Sequence, residues 1–282
     1  MIGVLQRSTD MAGRVLLAED NLVSQRVAEA MLQSLGFHVD VVGDGAEAVK
    51  AASSQPYRAI LMDCQIPILD GYEATAQIRH LEGVRRRTPI IAVTGLAARS
   101  NQNRCMAAGM DDFVAKPLTP SGLTALLAHW VPDGSLPSFA IDPAGPPPDR
   151  QMHLDHAHES TRPALDPHMV ARLDWLGATA GEDLVGRLTV IFAADAVTHI
   201  DALRRAMAGE DAVAVSRVAR RLSAASVNLG ATHLARLCDN LVAENSGAIA
   251  AGDVRHGWAL IQLLEKELVR VHAALRVLRA RP

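Results

Sequence analysis

The chain has 282 residues, of which 49% are hydrophobic and 21% charged, a balance typical of globular proteins with about two domains. Its net charge of −3 argues against nucleic acid or an anionic membrane surface as a partner. No apolar run approaches the roughly 20 residues that span a bilayer, and the first ten residues lack a signal-peptide core, so we expect a cytoplasmic protein without membrane insertion. Cys64, Cys105 and Cys238 lack metal-ligand spacing and fit buried free thiols in a reducing compartment.

Short apolar runs alternate with amphipathic stretches through the first half of the chain. This alternation predicts β-α units around a parallel sheet. The predicted strands cover residues 15–18, 39–42, 59–62, 89–93 and 113–115, and the predicted helices cover 22–35, 44–54, 71–82, 99–109 and 120–130. We therefore expect an α/β domain over residues 14–131, built on a doubly wound five-stranded parallel sheet, with residues 1–13 as an N-terminal extension.

The second half of the chain has a different composition. Eight of the fourteen prolines lie between residues 132 and 167, including Pro146, Pro147 and Pro148, which predicts a proline-rich linker over 132–165. From residue 166 onward the pattern is helical, interrupted by glycines and polar turns. We expect residues 166–282 to form an all-α bundle of four or five helices.

Chemically related side chains follow four of the predicted strands. Glu19 and Asp20 follow the first, Asp63 ends the third, Thr94 ends the fourth and Lys116 ends the fifth, so they should meet at the carboxyl edge of the sheet. Three converging carboxylates repel each other and favour a hard cation such as Mg²⁺. Asp63 could then attack a phosphoryl group as a nucleophile, with Lys116 and Thr94 neutralising charge on the transferring oxygens.

These motifs resemble the receiver domain of two-component response regulators, especially receivers attached to hybrid sensor kinases. The resemblance covers residues 14–131 and rests on Leu17–Asn21, Met62–Gly71, Ala92–Gly95 and Asp112–Leu118. It implies that Glu19, Asp20, Asp63 and the backbone carbonyl of Cys64 hold Mg²⁺, that Asp63 accepts the phosphoryl group, and that Thr94 and Lys116 bind its oxygens. It also implies a histidine kinase or phosphotransfer protein as phosphodonor, and makes a cis Lys116–Pro117 bond plausible.

Phe113 matches the aromatic switch position of that family, where the aromatic side chain responds to movement of the threonine, here Thr94. A phenylalanine can rotate inward when Thr94 moves but cannot make the hydrogen bond of a tyrosine. An equally good interpretation is a strand residue that covers apolar surface. If the switch operates, phosphorylation should change the surface formed by the fourth predicted helix, the fifth strand and the fifth helix, here residues 99–130.

A helix over residues 211–229 would have a core-facing stripe of Val215, Val218, Leu222, Ala225 and Leu229. The segment looks like a degenerate histidine-phosphotransfer domain over residues 166–282, with Arg220 where such a domain has its histidine. It also departs at Ser223 and Ala224, which we expect on the same exposed face. An arginine cannot act as a phosphoryl nucleophile, because its guanidinium stays protonated. A generic helical bundle remains an alternative.

The arginine-bearing face predicted for this helix consists of Arg217, Arg220, Arg221 and Ala224. Because guanidinium groups pair with carboxylates and phosphoryl groups, this face could bind a receiver or another signalling protein without relaying phosphate. The alternative is a solvated basic helix face.

Taken together, the residues favour a phosphorelay protein whose phosphorylated receiver controls protein interactions, with the bundle as a non-relaying binding module. Two alternatives stay open: the C-terminal portion of a hybrid histidine kinase, and a phosphate sink that drains a relay through hydrolysis at Asp63. No ATP-binding glycine boxes are present, so we expect only self-catalysed phosphoryl acceptance and hydrolysis.

The chain prefers arginine to lysine, and its three lysines are Lys50, Lys116 and Lys266. This usage bias is typical of GC-rich bacterial genes.

Overall fold

The computed structural model describes residues 13–82, 87–95, 99–131, 163–248 and 255–280, with the side chains of 99–101 and 245–248 left out. The chain divides into two compact units, Met1–Asp149 and Arg150–Pro282, which are described one at a time. The N-terminal extension predicted for 1–13 and the linker predicted for 132–165 lie almost wholly outside the described residues. None of the described helices is long and apolar enough to cross a membrane.

The first unit is a five-stranded parallel sheet in the order β2-β1-β3-β4-β5. Its strands are β1 (Arg14–Ala18), β2 (His38–Val42), β3 (Ala59–Asp63), β4 (Ile90–Thr94) and β5 (Asp112–Ala115). Its helices are α1 (Leu22–Ser34), α2 (Gly45–Ser54), α3 (Gly71–Glu82), α4 (Arg99–Ala108) and α5 (Pro120–Trp130). The doubly wound five-stranded parallel sheet predicted from the sequence is confirmed, and its strand order is that of the flavodoxin-like fold.

Burial explains why the central strands β3 and β4 are apolar up to their last residues, Asp63 and Thr94. All five residues of β3 and all five of β4 are buried, as parallel sheets require when helices cover both faces. Side-chain caps fix where helices begin: Asn21, Asp44 and Thr119 accept hydrogen bonds from the backbone N–H of Ser24, Glu47 and Gly122, the expected N-cap chemistry. These caps place each helix start directly after a strand end, at the edge that carries the polar side chains.

The second unit is helical, as predicted. It consists of α6 (Pro167–Ala180), α7 (Leu184–Ala208), α8 (Ala212–Asn228), α9 (Thr232–Ala248) and α10 (Arg255–Arg279). Helices α7, α8, α9 and α10 each pack against the next, and α10 packs back against α7, while α6 lies on α7. The core between them holds fully buried side chains from all four helices, among them Phe192, Leu222, Leu234 and Leu264.

Candidate phosphoacceptor site at the carboxyl edge of the sheet

The three predicted carboxylates come together in the structure. Glu19 follows β1 and Asp63 ends the neighbouring strand β3, so parallel pairing brings their side chains to the same edge. One carboxylate oxygen each from Glu19, Asp20 and Asp63 lies within 4.8 Å of the other two. Glu19 and Asp63 are buried, at 4% and 7% exposure, so their charges cannot be solvated by bulk water.

Lys116 lies between two of these carboxylates. Its Nζ atom is 2.7 Å from Oδ2 of Asp63 and 2.5 Å from Oε2 of Glu19. The backbone N–H of Lys116 donates to the carbonyl of Thr94 over 2.8 Å, which holds the end of β5 beside the end of β4. The Lys116–Pro117 peptide bond is cis, as the resemblance made plausible.

Backbone N–H groups and the Gln25 amide hold further oxygens of Asp63 and Glu19. Oδ1 of Asp63 accepts the N–H of Gln65 at 2.9 Å, and Oε1 of Glu19 accepts the N–H of Asn21 at 3.2 Å. Gln25, on the first full turn of α1, donates from Nε2 to the Glu19 carbonyl at 2.6 Å. We did not single out Gln25 or Gln65 from the sequence. Gln25 follows the cap residue Asn21 by four positions, a spacing that places it over the β1–α1 turn.

The electrostatics of the cluster favour a cation. With all three carboxylates ionised, the cluster and its one ammonium carry a net charge of −2. Burial, reinforced by the charges of Asp63 and Asp20 and opposed by Lys116, raises the pKa of Glu19 to about 7. Burial disfavours the charge of Lys116, but the carboxylates of Glu19 and Asp63 outweigh it and raise the pKa of the ammonium above its usual range. Lys116 therefore stays charged and the site stays net negative.

The donor set fits Mg²⁺. The ion prefers a small number of carboxylate oxygens together with water, and three such oxygens converge here. The predicted fourth ligand is less well placed. The Cys64 carbonyl accepts a hydrogen bond from the N–H of Gly71 at 3.3 Å, so one of its lone pairs is already engaged and its role as a ligand stays a prediction.

Comparison with protein families identifies this unit. The response regulator receiver domain matches residues 15–128, the region that contains every residue of the acidic site and all of the sheet except Arg14. Residues 15–128 are a receiver domain. Curated relatives include sensor proteins and hybrid signal transduction histidine kinases.

Similarity to one relative extends beyond the receiver domain. The sensor protein GacS of Pseudomonas syringae pv. syringae is 27% identical over 270 residues, which cover 95% of this chain and 28% of that protein. The chain thus spans little more than a quarter of the length of this relative.

Two solved structures are similar to the receiver domain. The receiver domain of a sensor histidine kinase from Pseudomonas aeruginosa PAO1, crystallised with a magnesium ion coordinated in its active-site cleft, is 49% identical (43% of this chain, 98% of that chain, TM-score 0.41). The receiver domain of the Saccharomyces cerevisiae response regulator Ssk1, crystallised with the histidine phosphotransfer protein Ypd1, is 27% identical (45% and 94%, TM-score 0.41).

Thr94 and Phe113, the predicted switch residues of the receiver domain, lie on neighbouring strands. Thr94 is buried at the end of β4 and pairs in register with Ala115. Phe113 is half-buried and packs against the apolar cluster that includes Cys64, Ala92 and Met110. This packing agrees with the interpretation that Phe113 covers apolar surface, and its switch role stays a prediction.

Helix α8 of the second unit carries the predicted core-facing stripe, but one residue that was expected on its exposed face is buried. Val215, Leu222, Ala225 and Leu229 are buried and Val218 is half-buried. Arg217 and Arg220 are exposed, while Arg221 and Ala224 are half-buried. Two of the four residues of the predicted arginine-bearing face are therefore exposed, the other two are partly covered, and the role of the face stays a prediction.

Ser223 is the exception, because the sequence placed it on that exposed face. The structure shows Ser223 buried at 8% exposure, with its Oγ donating to Oδ1 of Asp239 on α9 at 2.9 Å. A small hydroxyl side chain can turn into the α8–α9 contact because a partner on α9 satisfies it, which the pattern of one helix could not reveal.

Proposed function

We propose that the receiver domain accepts a phosphoryl group on Asp63 from a histidine kinase or a histidine phosphotransfer protein, and that phosphorylation controls protein–protein contacts. The observation that carries this proposal is the convergence of Glu19, Asp20 and Asp63 around the ammonium of Lys116. A buried nucleophile, a fixed cation and a net charge of −2 together suit phosphoryl transfer, which depends mainly on positioning and charge neutralisation.

The transfer follows from the geometry of Asp63. A carboxylate oxygen of Asp63 attacks the phosphorus, the bond from phosphorus to the donor imidazole nitrogen breaks, and the imidazole leaves with its electron pair and takes up a proton. Lys116 is held at the same carboxylate and can pair with phosphoryl oxygens as their charge shifts. The hydroxyl of Thr94, at the end of the next strand, supplies a second donor for those oxygens.

Glu19, Asp20 and Asp63 are the residues that would hold Mg²⁺. When bound, the ion would neutralise the carboxylates and the phosphoryl oxygens, so that two anions can approach. The neutralisation is consistent with the site charge of −2. Where Glu19 carries a proton, it would release that proton in the process, since the carboxylate is the form that binds a hard cation.

We propose that phosphorylation of the receiver moves Thr94 and Phe113 and thereby changes the surface formed by residues 99–130. A phosphoryl group on Asp63 would draw the Thr94 hydroxyl toward it and open space on the β4–β5 side of the sheet. Phe113, already packed against the cluster there, could then move inward.

A cytoplasmic location is proposed with this function, because the buried thiols Cys64, Cys105 and Cys238 are free and suit a reducing compartment.

For the helical unit we propose a degenerate phosphotransfer module that binds a receiver without relaying phosphate. Helix α8 carries Arg217, Arg220 and Arg221 and no acidic residue, so its charge of +3 complements a receiver site of −2. Guanidinium groups pair with carboxylates and phosphoryl oxygens in two-pronged geometry. The similarity to GacS, which covers 95% of the chain, supports treating this unit as part of the same signalling architecture.

A test of the arginine face compares Arg220→Ala with Arg276→Ala, an exposed arginine of α10 in the same unit. In full-length protein we measure the lifetime of the phosphoryl group on Asp63 and binding to the Pseudomonas aeruginosa receiver domain at low salt. Arg220→Ala should weaken binding or change the lifetime, and Arg276→Ala should do neither. Identical behaviour of the two variants would leave α8 as a solvated basic helix.

A second candidate function is the C-terminal portion of a hybrid histidine kinase. It is favoured by the alignment with GacS, which covers nearly the whole chain but 28% of that protein. The chemistry at Asp63 would be the same, and the donor would be a kinase in the same polypeptide. Sequencing the transcript upstream of Met1 distinguishes the two: a continuous reading frame into a kinase domain would establish the hybrid form.

The receiver chemistry is tested by phosphorylation with radiolabelled acetyl phosphate in the presence and absence of Mg²⁺. We expect label that depends on Mg²⁺ and disappears in Asp63→Asn. The matched control is Asp70→Asn, an acid of the same loop that caps α3 through the N–H of Glu73 and should retain the label. Equal labelling of Asp63→Asn and wild type would exclude Asp63 as the acceptor.

A further inference from the structure

The loop that follows the phosphoacceptor strand contains an exposed and strained isoleucine. Ile68 is 82% exposed, the highest value among the large apolar side chains that the structure describes. Its φ of +67° lies in the left-handed region, which a β-branched residue rarely adopts. Glycine or asparagine would fill such a position with less strain.

The hydrogen bonding around Ile68 defines the turn. The N–H of Leu69 donates to the carbonyl of Pro67 over 2.7 Å, a bond that encloses Ile68 as the central residue. With a positive φ at the centre, this is the strained form of the γ-turn. The Ile68 side chain points into solvent. The side chains of Ile66 and Leu69 on either side of it pack against the core cluster.

The rest of the loop leaves Ile68 little freedom. On one side, Asp70 caps α3 by accepting the N–H of Glu73 at 2.8 Å. On the other, the first residue of α2, Gly45, lies so close to the Leu69 carbonyl that a Cβ there would be 2.1 Å from that oxygen. Such strain persists where surrounding structure imposes it, and it concentrates at functional sites.

The position of the loop ties Ile68 to the phosphoacceptor. The N–H of Gly71 donates to the carbonyl of Cys64 at 3.3 Å, so both ends of the loop meet directly beside Asp63 and Ile68 lies at its tip. After the neighbouring strand β1, Leu22 follows Asp20 by two residues and is 51% exposed. An exposed apolar side chain therefore follows each of the two strands that lead to the acids: Leu22 begins α1 after β1, and Ile68 lies in the loop after β3.

We propose that Ile68 is a docking residue for the protein that donates the phosphoryl group, and that it packs against apolar side chains beside the donor's phosphohistidine. This inference rests on the proposed function. Asp63 is only 7% exposed, so a donor side chain reaches it only if the donor surface covers the surrounding loops. That contact would bury Ile68, and burial of one such side chain changes affinity by roughly tenfold or more.

The test separates docking from chemistry by using two donors. Acetyl phosphate is too small to contact the loop tip and reports on the acidic site alone. The protein donor is the autophosphorylated kinase or phosphotransfer protein from the source organism that phosphorylates the unaltered full-length chain fastest. Variants are Ile68→Asn, which tolerates the positive φ but is polar, and Ile68→Met, which stays apolar. Leu81→Asn is the control, at a 60% exposed leucine at the far end of α3.

We expect Ile68→Asn to slow transfer from the protein donor about tenfold with an unchanged rate from acetyl phosphate, while Ile68→Met and Leu81→Asn match wild type. An unchanged rate from the protein donor would overturn the inference, as would equal losses with both donors, which would mean that Ile68 shapes the acidic site. The inference also fails if acetyl phosphate labels Asp63 and no protein donor does. Failure of acetyl phosphate to label the unaltered chain would instead contradict the proposed function.

Discussion

The Lys116 ammonium lies 2.7 Å from Oδ2 of Asp63, close enough for a charge-assisted hydrogen bond to the proposed nucleophile. The same ammonium also donates to Glu19, so it balances part of the charge of two buried acids at once. A residue in this position serves two opposing needs. It weakens the attraction of the site for a cation, and it supplies the positive charge that phosphoryl oxygens require.

Replacing Lys116 with methionine should separate these two effects. The charge of the fully ionised site changes from −2 to −3, so above the pKa of Glu19 we expect Mg²⁺ to bind more tightly, as measured by titration calorimetry. Phosphorylation by acetyl phosphate should nevertheless slow by about 10²- to 10³-fold, the usual loss when a charge-stabilising donor is removed. Lys50→Met, at an exposed lysine of α2, should change neither quantity. Weaker Mg²⁺ binding in Lys116→Met would contradict the charge assignment.

Glu19 should make the stability of the metal-free protein depend on pH. Its pKa rises from 4.5 to about 7 on folding, so between these values the folded chain holds a proton that the unfolded chain has lost. The free energy of unfolding should therefore fall as pH rises from 4.5 to about 7, by up to about 3 kcal/mol, and remain lowered above that.

The measurement is urea unfolding across this pH range, taken as the difference between wild type and Glu19→Gln. The fall should be absent in Glu19→Gln and should shrink in saturating Mg²⁺, because the ion competes with the proton. Glu73→Gln, at an exposed acid of α3, serves as the control and should follow wild type. A wild-type curve that matches Glu19→Gln throughout would show that the folded carboxyl titrates normally.

Gln25 should act as a positioning residue for the Glu19–Asp20 turn. Its amide holds the Glu19 carbonyl at 2.6 Å, and Gln25→Met keeps the side-chain length while removing the donor. We expect the affinity for Mg²⁺ to fall about tenfold, as for other groups that orient metal ligands, with little change in thermal stability. Gln33→Met on the same helix is the matched control. Equal affinities in the two variants would show that the turn holds its shape without Gln25.

Cys64 should be inert toward thiol reagents in the folded protein, although it adjoins the phosphoacceptor. Burial, with a smaller contribution from Cys105, whose Sγ lies 3.8 Å away, raises its pKa to about 12. Alkylation at pH 8 should be roughly a thousandfold slower than for an ordinary thiol, because the thiolate is the reactive form. Mass spectrometry after iodoacetamide should show Cys64 modified only in denaturant, and rapid modification of the native chain would refute its burial.

The receiver fold and its acids could be predicted because their signals are local. Continuous apolar strands, helix caps and polar residues at strand ends each lie within a few positions of one another, and the family motifs supply the roles. Every predicted strand and helix of this unit is present, with bounds shifted by one residue at most. By contrast, no local signal in the sequence shows that the Lys116 ammonium hydrogen-bonds both Glu19 and Asp63. This arrangement depends on how the ends of β1, β3 and β5 are placed in the folded sheet.

The sequence pattern placed Ser223 on the wrong face of α8 for the same reason: its position depends on a contact with another element. A helical wheel of α8 places Ser223 next to the arginines, but its burial is decided by Asp239 on another helix. The turn at Ile68 was also beyond prediction, because an isoleucine with a positive φ contradicts local preference and is imposed by Asp70, Leu69 and the start of α2. Where neighbours from other elements override local preference, sequence patterns give the wrong face or the wrong turn.

The central claim is tested most directly by locating the phosphoryl group on the phosphorylated chain. The protein is labelled in Mg²⁺, treated separately with acid and base, and reduced with borohydride, which converts an aspartyl phosphate to homoserine. We predict base-labile label and a homoserine at position 63 alone. Acid-labile label on a histidine of the helical unit would contradict it, because that unit would then relay phosphate and Arg220 would not mark a silent site.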